Sequence, residues 1–164
     1  MHDYGISLKE PRGWNTRFYR IIEPLRGGAM LQAATVPLVE SDLSTYQPDT
    51  CATMTGNDAL LIAMIFDPDP EIANFPKPVR ASVDDFKFVA GDFTHLQGLP
   101  DHQIQSRVVF KHAGRICELV GCFGSSNPDA ALVAKIISSL RTLRVGSSAA
   151  KEPNGDAVEI RLPT

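Results

Sequence analysis

The chain has 164 residues, 43% of them hydrophobic and 21% charged, with a formal net charge of −3. That length fits one domain, with or without an appendage, and about 68–70% of the unfolded surface is buried at this size, so a core needs neither disulfides nor a metal. The charge exerts no long-range pull on phosphate backbones, the longest apolar run (Ala59–Phe66) is too short to cross a bilayer, and three cysteines with no CxxC spacing read as reduced thiols. The opening Met1-His2-Asp3-Tyr4-Gly5 carries neither a basic stretch nor an apolar leader. The expectation is therefore a cytoplasmic protein, with no nucleic acid and no membrane among its partners.

Tyr4–Lys9 reads as a first strand, ended by the turn residues Glu10-Pro11-Arg12-Gly13. Trp14–Glu23 is aromatic and β-branched, reads as a second strand, and pairs as a hairpin with Ala29–Val36 across Pro24–Gly28. Strand alternation sets Trp14, Phe18 and Arg20 on one side, Arg17 and Tyr19 on the other. Pro37–Gly56 lacks steady periodicity and reads as a long surface connection with room for a helical turn. Asp58–Asp67 is the most apolar run, suited to a central strand buried on both faces, although periodicity alone does not separate it from a short buried helix. Residues 68–100 hold five prolines, at 68, 70, 76, 78 and 100, with short strands or turns around Val83–Val89.

Ile104–Phe123 can be argued to register. A turn at Ala113-Gly114, or a loop over His112–Arg115, pairs Phe110 with Cys117, Val108 with Leu119, Ser106 with Gly121 and Ile104 with Phe123. Alternation then gathers Ile104, Val108, Phe110, Cys117, Leu119 and Phe123 on one face. The opposite face mixes Gln105, Arg107, Lys111 and Glu118 with Val109, Ile116, Val120 and Cys122, and is expected to be the less buried one. A one-residue slip sets Val108 across from Glu118 and scrambles both faces.

A helix follows, with Ser126 or Asn127 as its cap, Pro128 at the first helical position and Asp129 at the positive end of the dipole. Leu132, Val133, Ile136, Ile137, Leu140 and Leu143 form its apolar face. Gly146–Asp156 is small and polar like a linker. Val158–Leu162 alternates apolar with charged residues, which a disordered end does not require. It is expected to add as a strand to an exposed sheet edge, or to a neighbouring subunit in a homodimer.

Candidate chemistry is sparse. His95 and His102 lie near Asp92 and Asp101 in a loop-like stretch without metal-ligand spacing, and a solvated loop is the simpler reading. His112 reads as a polar turn residue. Asp67-Pro68-Asp69-Pro70-Glu71 lacks the glycine and the distant glutamate of a calcium loop. Cys117 and Cys122 face opposite ways and cannot bridge within the strand pair, and Cys51 has no histidine near it in sequence. Gly124-Ser125-Ser126-Asn127 leads into a helix start, but it lacks the lysine of a phosphate loop. No catalytic, cofactor or metal residue is assigned.

The opening Gly5-Ile6-Ser7-Leu8, the turn Pro11-Arg12-Gly13-Trp14, the hairpin element Gly114-Arg115-Ile116-Cys117 and the helix ending Ile136-Ile137-Ser138-Ser139-Leu140-Arg141 resemble a known superfamily. It is the PsbP-like fold shared by the photosystem II extrinsic P subunit and the Ran-GTPase release factor. The likeness is nearest to bacterial single-domain members and covers about residues 4–145. It implies an antiparallel sheet with helices packed on it, and an accessory or partner-binding role without catalysis.

The expected fold class is α+β: an antiparallel β-sheet with a C-terminal helix packed across it, over residues 1–145, followed by a linker and strand-like tail over 146–164. The expected function is a non-enzymatic accessory or protein-binding module with a protein partner or self-association. The alternative is a small-molecule-binding protein or small enzyme whose site is built from the 85–103 loop region, using for example Asp92, His95 and Asp101.

Overall fold

The computed structural model describes residues 2–3, 6–22, 27–41, 47–67, 100, 102–112, 115–145 and 159–161, with backbone alone at 2–3, 21–22, 112 and 159–161. In chain order the elements are β1 (His2–Asp3), β2 (Ile6–Ser7), β3 (Asn15–Ile22), β4 (Gly28–Ala34), α1 (Pro48–Thr53), β5 (Ala59–Phe66), β6 (Ile104–His112), β7 (Arg115–Phe123), α2 (Ala130–Leu140), β8 (Arg144–Val145) and β9 (Glu159–Arg161). The fold class is α+β. Five antiparallel strands in the order β6-β7-β5-β4-β3 form the main sheet, with β9 added in parallel beside β3.

The opening strand departs from expectation. Ile6–Ser7 does not join the main sheet but pairs with β1 and β8 in a small three-stranded sheet. It is two residues long because the chain soon bends at Pro11-Arg12-Gly13-Trp14, where the Trp14 amide donates to the Pro11 carbonyl at 3.3 Å. Gly13 has φ 81° at the third turn position, where a type II turn needs a positive φ and glycine takes it without strain.

The main sheet follows the apolar runs. β5 is central and buried on both faces, as its unbroken hydrophobic sequence requires. The β6–β7 pairing holds Phe110 opposite Cys117, Val108 opposite Leu119, Ser106 opposite Gly121 and Ile104 opposite Phe123. Register carries rows across five strands. Phe18, Leu31, Ala63, Leu119 and Val108 form one such row on the first face. Helix α2 covers that face with Ile136 and Leu140, both buried in the same core cluster. Each is worth about 1.5–3 kcal/mol of transfer free energy relative to exposure.

Part of the second face is buried as well, which corrects the expectation for Gln105: it is 1% exposed, while Arg107 and Lys111 on the same strand stay exposed. One cause is α1 and its flank, which set Cys51 and Met54 against Leu60, Ile62, Val120 and Cys122. Pro37–Gly56 is therefore not merely a surface connection. Polar residues survive on this face by pairing: Arg107 meets Glu118 through two bonds of 2.6 and 3.0 Å, and Gln32 donates to the Tyr19 hydroxyl at 2.9 Å.

The cap of α2 is Asp129, whose Oδ1 accepts from the amides of Ala131 and Leu132 at 2.6 and 3.2 Å. Ser126 and Asn127 stand too early to do this, and Pro128 precedes the cap instead of following it. At the other end Ser139 and Thr142 tie the helix to Lys9 through bonds of 2.7 and 2.8 Å.

Candidate functional site

Few of the residues singled out by their chemistry come together. His102 is exposed in a turn, while Asp92, His95 and Asp101, like the rest of 85–99, lie outside the described residues. Among the described residues no three metal-ligating side chains converge. The three cysteines are buried and carry no disulfide, with Cys117 in the core beneath α2 and Cys122 across the sheet beside Cys51. Burial pushes the Cys122 thiol well up, and its hydrogen bond with Cys51 adds to the effect, so it is a poor nucleophile. In the stretch ahead of α2 the Asn127 amide donates to the Ser125 hydroxyl at 3.1 Å, an internal turn contact.

Asp67, read as part of an acidic turn, instead binds two arginines, one through each oxygen. Arg20 on β3 meets Oδ2, and Arg115 on β7 meets Oδ1 at 3.1 Å. Arg115 also donates to the Phe66 and Ile65 carbonyls at 3.1 and 3.4 Å, and its side chain is 0% exposed. Burial pulls its pKa down while Asp67 pulls it up, with the net shift downward. Sequence reasoning left Arg115 either in a His112–Arg115 loop or just after an Ala113-Gly114 turn, and missed this role. The only signal was its place inside Gly114-Arg115-Ile116-Cys117, directly ahead of an apolar strand.

The cluster braces the end of β3, the last of the five antiparallel strands on this side. The Thr35 amide donates to the Ala59 carbonyl at 3.0 Å, and the Asp67 amide to Gly27 at 2.9 Å, so odd residues of β4 turn their main-chain groups towards β5. Even residues of β4 therefore bond to Asn15, Arg17, Tyr19 and Ile21 of β3, and the N–H and C=O groups of Thr16, Phe18, Arg20 and Ile22 point outward. β9 lies along Arg20–Ile22 on that side. Among the described residues no strand lies beside Asn15–Arg17.

Apolar side chains line the same edge. Trp14, Phe18, Leu132 and Val133 are half-buried against the core beneath α2, with the Lys135 ammonium 5.6 Å from the centre of the Trp14 ring. Arg17 fixes the other flank by donating to the Leu38 and Val39 carbonyls at 3.5 and 3.4 Å. The opposite edge, β6, is different in kind: Arg107 and Lys111 stand exposed on it, the charged guard that discourages strand-to-strand association.

What this arrangement can do chemically is bind main chain. Its outward main-chain groups at strand spacing take up β9 along Arg20–Ile22, with an apolar margin from α2 and a braced guanidinium at one end. No family model, no curated protein and no solved structure matches the chain. No described helix is long and apolar enough to cross a membrane.

Proposed function

We propose that the chain is a non-enzymatic partner-binding module of the PsbP-like kind, working in the cytoplasm, that takes an extended protein segment by strand addition at the β3 edge. One observation carries this reading: the chain's own Glu159–Arg161 already pairs with that edge as a short parallel strand. An edge that holds three residues of one segment through main-chain bonds offers the same bonds to another, because those bonds do not depend on side-chain identity. Specificity then comes from the half-buried Trp14, Phe18, Leu132 and Val133 on the α2 side. The three buried thiols fit a reducing compartment.

The test blocks each edge in turn. Thr16→Pro removes an outward N–H from β3, and Lys111→Pro removes one from β6. Neither touches the ladder to the neighbouring strand, and proline is tolerated on edge strands. A partner that co-purifies with the full chain is expected to be lost with Thr16→Pro and kept with Lys111→Pro, with both variants folded by circular dichroism. Equal retention, or loss only with Lys111→Pro, would move binding away from β3.

A further inference from the structure

Resting on that reading, we propose that Glu159–Arg161 is a displaceable occupant of the β3 edge, and that the partner is an extended segment, parallel to β3, with an acidic residue in register with Arg20. Four observations combine. First, β9 is three residues long against the eight of β3, and among the described residues it pairs with β3 alone. A strand of that length supplies few main-chain bonds, so its release costs little. Second, β9 follows β8 after residues 146–158, thirteen positions that reach roughly 45 Å when extended. Because β9 belongs to the same chain, its return after release is intramolecular, and any partner must compete with it.

Third, the register fixes which chemistry is read. Parallel pairing sets Glu159 opposite Arg20, Ile160 opposite Ile21 and Arg161 opposite Ile22. Because the even residues of β3 face outward, the Ile160 N–H and C=O fall between Arg20 and Ile22, where a proline would remove the donor to the Arg20 carbonyl. Fourth, Arg20 is held in place before any segment arrives, through Asp67 and behind it the buried Arg115. A guanidinium fixed at a sheet edge favours a carboxylate in the adjacent register position and disfavours a base there. The tail thus carries, at Glu159, the acid that the edge selects, and competes with any partner carrying one in that register.

The experiment uses the full chain and a fluorescent peptide, AVEIRLPT, copied from residues 157–164. Wild-type protein, with its edge occupied, is expected to bind the peptide at least tenfold more weakly than the Ile160→Pro variant does. Adding Arg20→Glu to Ile160→Pro is expected to abolish that binding, and a peptide carrying Glu159→Arg to restore it. Equal peptide affinity for wild type and Ile160→Pro, or indifference to the charge exchange, would overturn the proposal. It could fail in this way while the Thr16→Pro result still upheld β3 as the partner edge. Amide exchange of wild-type Ile160 needs no variant: protection is expected, and exchange at the unfolded-chain rate would overturn the assignment. So would a wild-type mass that doubles with concentration while Ile160→Pro stays monomeric, since the edge would then belong to a second copy's tail.

Discussion

Asp58 joins three segments through one carboxylate. The Thr35 hydroxyl donates to Oδ1 at 2.8 Å, while the Thr55 amide and hydroxyl both donate to Oδ2 at 2.8 Å. Burial alone would raise its pKa, but these bonds outweigh it and hold the carboxyl below the usual aspartate value. A pKa lower in the folded state stabilises the fold above the unfolded value, and the contribution is lost as the pH falls through the folded one. Wild type is therefore expected to lose melting temperature more steeply than Asp58→Asn on acidification below about pH 4. Parallel curves would show that the carboxylate adds nothing. Nearby, a Cβ on Gly124 would collide with the Thr55 carbonyl, which is backbone and cannot swing aside. Gly124→Ala is expected to lower stability by about 1–3 kcal/mol in a denaturant titration, and an unchanged midpoint would contradict the close approach.

At the scale of elements, both faces of the sheet carry buried residues, and those on the second face change what substitution should do. Val108→Asp and Leu119→Asp place a carboxylate beneath α2, at several kcal/mol. Gln105→Asp is now expected to cost a comparable amount, since Gln105 is buried beside Cys122 and its replacement would bury a charge. Chemical denaturation of the three variants checks this, and a near-neutral Gln105→Asp would show that the second face opens to water. The sequence made the β6–β7 register legible because only one pairing keeps Val108 away from Glu118. It hid the burial of Gln105 because alternation reports which residues share a face, not what lies over it. Cys51 and Met54 reach that face from a six-residue helix and the residue that caps its end, too short a segment for a readable periodicity. Asp129 as the helix cap was within reach of reasoning, since serine, asparagine and aspartate all cap well. Choosing among them required the carboxylate's distance to the Ala131 amide.

The whole molecule is a sheet with two unlike edges. The β6 edge is guarded by exposed Arg107 and Lys111, whereas β3 is bordered by half-buried apolar side chains and joined by the chain's own C-terminal strand. The alternation in Val158–Leu162 pointed to a strand added at a sheet edge, and Glu159–Arg161 lies in one, with Val158 and Leu162 outside the described residues. Which edge, and in which direction, was not legible, because strand pairing joins residues far apart in sequence, as Arg20, Asp67 and Arg115 meet across 47 and 48 positions. The account therefore turns on β3 as the site where main chain is received. The most direct measurement is residue-resolved amide exchange of the full Ile160→Pro chain, before and after saturation with the AVEIRLPT peptide. Protection is expected to rise at the outward amides of Arg20 and Ile22 and to stay unchanged at Gln105, Arg107 and Val109 on β6. Protection rising on β6 instead, or nowhere in the sheet, would contradict strand addition at β3.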